Sequence, residues 1–422
     1  MTSSGKDKRQ FLVILTIVFF GFVGISIPYL IFPALFLNPS FSILPVDWSE
    51  TSHALFLGIT LAAYPLGQFI GAPILGALSD DYGRKNILTL SLLITAFCNL
   101  FTGFAIARHH LGLLIISRLI AGFMEGNIAI ARAMAADIKT ISKHKTLGRI
   151  NAITSIGYLI GPLLGAVMTD KNIWEGATTS TPFFFICLLF FCLTGLSALM
   201  FKQSVIKTAI KVRTFKQRIN FIKNISELFS NKQVKSLMIA STLFTLAVDI
   251  FYEFGPVYLT IKWTLSPPQL ILYNCVLCFS LAAGNGWLPT FLSSRISIRS
   301  LVTCSIGGFS LFIIGIVITG SSFLMLLLFA LMGLAIGLAV TLITVKISDS
   351  VSDSIQGEVM GTQLSLRVLG DAMICLFGGA LLMLSSKLIL IVAVAMSVIS
   401  MFYYRANHRE TESKSLTQQL LP

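Results

Sequence analysis

The stretch that decides the fold is residues 76–85, which read Gly-Ala-Leu-Ser-Asp-Asp-Tyr-Gly-Arg-Lys. It joins two long apolar segments and is itself short and charged. Gly83 permits a tight turn, and Gly76 would let its helix approach a neighbour closely. Asp80 lies at a helix end, where a carboxylate can pair with Arg84 or face the positive end of another helix. The stretch therefore predicts a charged turn between two membrane spans.

The whole chain has the composition of a membrane protein. Of its 422 residues, 55% are hydrophobic and only 12% are charged, and the mean hydropathy is +0.85. A soluble domain of this length would need far more charge on its surface. Segments with roughly the 20 apolar residues that a span requires occur near 11–35, 54–78, 87–107, 111–135, 147–169, 182–201, 235–259, 268–292, 299–319, 323–347, 359–383 and 386–404. We therefore expect an all-α membrane protein of twelve transmembrane helices.

The positive charges lie mostly on one side of these spans. With the N-terminus inside, the outer loops hold only Arg108, Lys171, Lys262 and Lys387. Cytoplasmic loops are the ones enriched in Lys and Arg. We therefore expect a multi-pass protein of a bacterial inner membrane with both termini in the cytoplasm. The net charge of +13 is then a topology signal rather than a nucleic-acid footprint.

A basic stretch divides the chain into two halves. We predict an N-terminal six-helix half at 1–201, a basic cytoplasmic loop at 202–234, a C-terminal six-helix half at 235–404 and a cytoplasmic tail at 405–422. Apolar residues recur at helical spacing within the loop, which suits either an amphipathic helix on anionic lipid or a solvated linker. Both interpretations stay open.

The two halves share a glycine pattern. Gly122 and Gly126 of the fourth span recur as Gly333 and Gly337 of the tenth, 211 positions later. Glycines in corresponding spans at a constant offset indicate an internal repeat, which is typical of transporters.

Three motifs resemble a known family. Residues 76–85 resemble the G-x-L-x-D-x-x-G-R-K signature of the major facilitator superfamily, and residues 68–73 resemble the tetracycline-efflux branch of its drug/proton antiporters. Residues 118–126 resemble the fourth-helix arginine motif of proton-coupled members, and residues 157–165 resemble the G-P-x-x-G antiporter motif. The resemblance implies two pseudo-symmetric six-helix halves around a central cavity.

The resemblance also implies a cytoplasmic gate. Its predicted members are Gly76, Asp80, Gly83, Arg84, Lys85 and Asp137. The corresponding loop of the second half, at 293–299, keeps two arginines but lacks the acid and the glycine, which argues against a symmetric lock. The alternative is a loop that only anchors the topology.

The antiporter-like motif offers a packing face and a hinge. Gly157, Gly161 and Gly165 lie four residues apart, so they form one smooth helix face for close packing. Pro162 removes a backbone hydrogen bond and can bend the helix. Ordinary helix packing without a hinge role is the alternative.

Charges inside the spans say most about mechanism, because each costs about 2.5–3.5 kcal/mol at mid-span on insertion scales. Arg118, Glu125 and Arg132 of the fourth span are seven residues apart and share one helix face. We expect them to line a water-filled cavity or to pair across it. The first span carries no carboxylate, whereas many exporters of the resembled branch have one there.

The seventh and eleventh spans each carry two charges one turn apart. Asp249 and Glu253 have no local cation, so a proton is the simplest way to lower the cost of burying them. For Glu253 the alternative is solvation near the outer surface. Arg367 and Asp371 are either a structural ion pair along one helix or cavity charges. The proton-coupling candidates are Glu125, Asp249, Glu253 and Asp371, and the cavity cations are Arg118, Arg132 and Arg367.

These features favour a proton-coupled antiporter that exports small organic compounds by alternating access. The alternatives are proton-coupled uptake of a small metabolite, such as an amino acid or organic acid, and a transport-inactive sensor or scaffold. The sequence contains no G-x-x-x-x-G-K-[ST] motif and no apparent nucleophile–base set, so neither ATP drive nor an enzyme is expected. Cys275 and Cys278 form a C-x-x-C with no His nearby, and we expect no metal and no cofactor. The expected partners are a small organic substrate, protons and the bilayer, with no nucleic acid, and the chain is expected to be a monomer.

Overall fold

The apolar segments fold into α-helices. The structure, a computed structural model, describes residues 3–38, 43–45, 47–136, 138, 143–201, 232–263, 265, 267–350 and 356–419. Within these ranges there is no β-strand. A helix satisfies its backbone hydrogen bonds internally, which a chain surrounded by hydrocarbon requires.

Eight helices precede the central loop and seven follow it in the described part of the chain. The first group is α1 Ser3–Ser26, α2 Pro28–Leu37, α3 Glu50–Tyr82, α4 Arg84–Ala107, α5 Leu111–Met124, α6 Gly126–Ala136, α7 Lys143–Thr169 and α8 Thr181–Met200. The second group is α9 Lys232–Trp263, α10 Pro267–Gly286, α11 Leu288–Ser293, α12 Ile298–Ile318, α13 Ser322–Asp349, α14 Gln356–Leu384 and α15 Ser386–Gln419.

Three predicted spans are interrupted. The first breaks at Ile27, directly before Pro28, and the eighth breaks at Trp287, two residues before Pro289. Proline has no N–H to donate to the preceding turn, so both breaks have a local cause. The fourth span breaks at Glu125, where no proline is present.

The length and composition of the helices match a membrane protein. Among the described residues, 11 helical stretches are long and apolar enough to cross a bilayer. The apolar part of α7, Ile156–Thr169, is shorter than these. The prediction of an all-α, multi-pass membrane protein is confirmed.

Glycines set the closest helix contact of the first group, between α3 and α5. A Cβ atom on Gly71 would overlap the Phe123 carbonyl oxygen, and one on Gly122 would overlap the Tyr64 carbonyl oxygen. Each helix therefore offers a glycine where the backbone of the other passes. The second and fourth predicted spans are held together by this contact.

The same arrangement recurs between α10 and α13. A Cβ atom on Gly333 would overlap the Leu277 carbonyl oxygen, and one on Gly337 would lie 2.7 Å from the Asn285 nitrogen. The Thr341 hydroxyl donates a hydrogen bond to Asn285 Oδ1 beside this contact, at 3.0 Å. The repeated glycines thus make equivalent contacts in the two groups of helices.

The chain forms two compact units. The first comprises residues 1–220 with 375–383, and the second comprises residues 221–374 with 384–422. The central-loop helix that the sequence allows falls on residues 202–231, which lie outside the described part. The predicted boundaries of the halves stay a prediction.

Candidate functional site

The charged turn of residues 76–85 has the backbone that its sequence predicts. Gly83 separates α3 from α4 with φ at +91°, a conformation that favours glycine, and α4 begins at Arg84. Arg84 and Lys85 are half-buried at the start of α4. The side chain of Asp80 and the whole of Asp137 lie outside the described residues, so the gate stays a prediction.

The expectation for Gly76 is wrong. A Cβ atom there would meet no other atom within 4 Å in the described part of the chain. The close approach of this helix occurs earlier along α3, at Gly67 and Gly71, where α5 crosses α3. A glycine at a helix end lies beyond the crossing point, which is why it faces open space.

The antiporter-like glycine face of α7 packs on α1. A Cβ atom on Gly157 would lie 2.8 Å from the Phe19 carbonyl oxygen, and one on Gly161 would lie 2.6 Å from the Val23 carbonyl oxygen. At Gly165 the helices have begun to separate, and the nearest atom is 3.5 Å away. At Gly161 the backbones of α7 and α1 are too close to accept a larger side chain unless one of them moves. A hinge at Pro162 stays a prediction.

The charges of the fourth span lie in the first unit, and Arg118 is anchored by aromatic rings. Its side chain is buried in α5. The guanidinium carbon lies 4.4 Å from the Tyr64 ring centroid and 5.7 Å from that of Phe32. Both distances are in the range of cation–π attraction, which stabilises a cation away from water.

Glu125 occupies the break in the fourth span. Its N–H donates to the Gly122 carbonyl at 3.0 Å and its own carbonyl accepts from the Ile128 N–H at 2.9 Å, so two 3₁₀-type bonds between residues three apart occur at this break. The residue is only 7% exposed. Its Oε2 atom is buried and accepts no hydrogen bond from the described residues. A buried oxygen without a hydrogen bond is costly when it carries a charge.

Arg132 lies on α6, beyond the break. It donates to the Thr154 hydroxyl at 3.4 Å, and its guanidinium carbon lies 5.7 Å from the Phe22 ring centroid. The predicted common face of Arg118, Glu125 and Arg132 is therefore distributed over two helix segments with different neighbours. Arg118 contacts residues of α2 and α3, whereas Arg132 contacts α1 and α7.

The charges of the second unit form a polar ladder between α9 and α14. We use this name for three side-chain pairs: Ser241 with Gln363, Asp249 with Arg367, and Glu253 with Asp371. The residue numbers of both helices increase along the ladder, so the two helices run parallel. Gln363 Nε2 donates to the Ser241 hydroxyl at its first rung.

The second rung is a bidentate ion pair. Arg367 donates from Nε to Asp249 Oδ2 at 2.8 Å and from Nη2 to Oδ1 at 2.6 Å. Asp249 is buried, with 8% of its side chain exposed, whereas Arg367 is 41% exposed. Asp249 has no local cation in the sequence, but Arg367 of α14 supplies one from another helix. The ion pair joins two helices, and the alternative of an Arg367–Asp371 pair along one helix is not the one that forms.

The third rung brings two carboxylates together. Oxygens of Glu253 and Asp371 lie within 4.8 Å of one another. Glu253 is buried, which contradicts the alternative of a solvated residue near the outer surface. Asp371 Oδ1 is also buried and accepts no hydrogen bond from the described residues. Two like charges at this distance in a low dielectric repel strongly, and a proton on one of them removes the repulsion.

The sequence contains a signal for the ladder that local pairing rules miss. Ser241, Asp249 and Glu253 fall on one helix stripe, and Gln363, Arg367 and Asp371 fall on another at steps of four residues. A polar stripe on an apolar helix needs a polar partner. In the internal repeat, α9 and α14 correspond to α1 and α7. The two polar stripes could therefore have been paired with each other before the structure was known.

The comparisons with known proteins agree with the fold and its motifs. Residues 13–374 match the sequence model of the Major Facilitator Superfamily. The chain belongs to this superfamily. The predicted resemblance and the predicted fold class are confirmed.

Two similar proteins of this superfamily are resistance proteins. Tetracycline resistance protein, class H, of Pasteurella multocida is 33% identical over 205 residues, which are 48% of this chain and 47% of that protein. Multidrug resistance protein 2 of Bacillus subtilis (strain 168) is 29% identical over 227 residues, 53% of this chain and 52% of that protein. The chain spans about half the length of the curated relatives it matches.

Solved major facilitator structures share the fold at low identity. The human organic anion transporter MFSD10 superposes with a TM-score of 0.68 at 18% identity, over 94% of this chain and 99% of that one. A D-xylose–proton symporter superposes with a TM-score of 0.71 at 13% identity, over 93% of this chain and 97% of that one. Family and fold are those of transporters rather than of enzymes.

Proposed function

We propose that this chain is a secondary active transporter, a proton-coupled antiporter that exports small organic compounds by alternating access. The observation that carries the proposal is the third rung of the polar ladder, where the buried Glu253 lies next to the half-buried Asp371. Their neighbour Asp249 is already neutralised by Arg367.

The charge balance of the ladder supports a proton site. Its three carboxylates are Asp249, Glu253 and Asp371, and its guanidinium is Arg367. Ionisation of both Glu253 and Asp371 would place two negative charges within 4.8 Å of each other in a low dielectric, which is strongly unfavourable. Binding one proton at the Glu253–Asp371 pair lowers this energy. The pair is thus a group that gains and loses a proton as its exposure to water changes.

Proton transfer at the ladder supplies a way to link protons to conformation. When both Glu253 and Asp371 are ionised, hydration of the carboxylates and separation of α9 from α14 are favoured. When one of them is protonated, close packing of the two helices is favoured. A ligand that binds one of these states better than the other shifts the equilibrium between them. Alternating access then follows when the two states open to opposite sides.

The direction of transport rests on the relatives and on one motif. The relatives' names describe resistance to tetracycline and to multiple drugs, and residues 157–165 resemble the antiporter motif. Both favour export. We further propose that the chain is a monomer in a bacterial inner membrane, with both termini in the cytoplasm.

A vesicle assay tests the coupling and the direction together. Everted membrane vesicles that hold the protein are acidified inside by respiration, and compounds are added outside, beginning with tetracycline and continuing through a panel of toxic amines, organic acids and neutral compounds. An antiporter releases protons from the vesicles when its substrate is added, so the internal pH rises. Vesicles without the protein are the control.

The sign of the pH change separates the alternatives. A proton-coupled uptake system would carry the added compound and protons together into the vesicle, and the interior would become more acidic. A sensor or scaffold would give no change with any compound, and either result would contradict the proposal.

A further inference from the structure

An aromatic–arginine strip lies at the end of α10, away from the ladder. We define it as Trp287, Phe291 and Arg295, which are four residues apart. The helix breaks at Trp287 and continues as the short α11. Trp287 is 65% exposed and Phe291 is 39% exposed. Large aromatic side chains with this exposure are unfavourable in water and typical of the membrane–water interface.

The three side chains are stacked on one another. The rings of Trp287 and Phe291 lie 5.2 Å apart with an interplanar angle of 20°. The guanidinium carbon of Arg295 lies 4.7 Å from the Phe291 ring centroid. The ring holds the guanidinium over its face, which pre-orients the side chain without neutralising its charge. Within the described part of the chain, no ion pair involves Arg295.

The surroundings of the strip are positive and apolar. Residues 287–299 contain two arginines and no carboxylate. The second arginine, Arg299, donates to the Arg405 carbonyl at 3.2 Å, which brings a third arginine to the same place. Ile296 and Ile298 are exposed between the arginines. The strip therefore combines an oriented planar cation with apolar surface at the interface.

We propose that the aromatic–arginine strip binds the headgroup of an anionic phospholipid in the cytoplasmic leaflet. The guanidinium fork matches the geometry of a phosphate group. Anionic lipids are attracted to basic residues next to the membrane, and the aromatic rings occupy the level of the headgroups. The proposal uses the charge-based orientation of the chain but not the proton coupling.

Native mass spectrometry of the full-length protein tests the proposal. The delipidated protein in detergent is titrated with phosphatidylglycerol or with phosphatidylcholine at equal concentrations. We expect several-fold more phosphatidylglycerol adducts than phosphatidylcholine adducts on the wild type. Arg295→Gln should remove most of this preference, and Trp287→Ala should weaken it. Arg108→Gln, an exposed cation on the predicted outer side, should keep it.

Two results would overturn the lipid assignment. One is an equal affinity of the wild type for both lipids, and the other is an Arg295→Gln variant that retains the preference. Inorganic phosphate at millimolar concentration is added in a separate arm. If phosphate alone displaces the lipid, the strip is a simple anion site rather than a lipid site. All variants change exposed side chains, and equal thermal unfolding of the variants in detergent excludes misfolding.

Discussion

At the residue scale, the two partners of the Asp249–Arg367 ion pair differ in their exposure to solvent. The carboxylate is buried, whereas 41% of the guanidinium side chain is exposed. Removing one partner of a buried pair costs up to about 3–5 kcal/mol because the other charge is left without compensation. The cost should therefore depend on which partner remains.

This asymmetry gives a prediction about stability. Arg367→Gln leaves the buried Asp249 carboxylate alone, so it should lower the unfolding temperature in detergent more than Asp249→Asn does. In the second variant the remaining guanidinium can turn towards water. The double variant should recover part of the loss from Arg367→Gln, because no lone charge is left. Glu175→Gln, at an exposed position, serves as the matched control.

The opposite order of the two single variants would contradict the role assigned to burial. Equal losses with full additivity in the double variant would mean that the two side chains do not interact in the folded protein.

At the element scale, glycines decide how closely α3 and α5 pack. The pattern of the sequence predicted the helices and their approximate ends, because apolar runs of span length have few other structures available. It did not predict which glycine makes the contact. Gly76 belongs to the recognised motif, but a Cβ atom there would meet no described residue within 4 Å. Gly71 is not a member of the predicted gate, yet a Cβ atom there would overlap the Phe123 backbone. A glycine makes a close contact only where two helices cross. The sequence of one helix does not determine the position of that crossing.

Two alanine variants compare these situations directly. Gly71→Ala should lower the thermal stability in detergent, because its Cβ atom would overlap the Phe123 backbone. Gly195→Ala in α8 should leave stability unchanged or raise it slightly, because no atom of the described residues lies within 4 Å of the new Cβ. Alanine is about 1 kcal/mol better than glycine in a helix interior, so both variants carry the same intrinsic gain. A Gly71→Ala protein as stable as Gly195→Ala would exclude the close contact.

At the scale of the whole molecule, corresponding helix contacts in the two units have different chemistry. In the first unit, α7 meets α1 through Gly157 and Gly161. In the second unit, the contact of α14 with α9 carries the polar ladder. One repeat thus brings two backbones together at this contact, and the other joins polar and charged side chains across it.

The sequence allowed the fold and the charged residues to be predicted, but not their pairing. Asp249, Glu253, Arg367 and Asp371 were found because charge is rare inside membrane spans. Their partners depend on the rotation of α9 against α14. Local rules for residues four apart allowed a pair along one helix as one of two alternatives, and the structure has a pair between helices.

The central claim is that Glu253 and Asp371 carry the coupled proton, and one measurement tests it most directly. Purified protein with Glu253→Gln and Asp371→Asn together is reconstituted into liposomes beside the wild type and Glu175→Gln. The compound identified in the vesicle assay is then followed with and without an imposed pH gradient. We predict that the double variant still exchanges the compound without a gradient, which shows that it folds and binds. It should lose gradient-driven accumulation and the accompanying proton flux. A double variant that still accumulates the compound against its concentration gradient would contradict the claim.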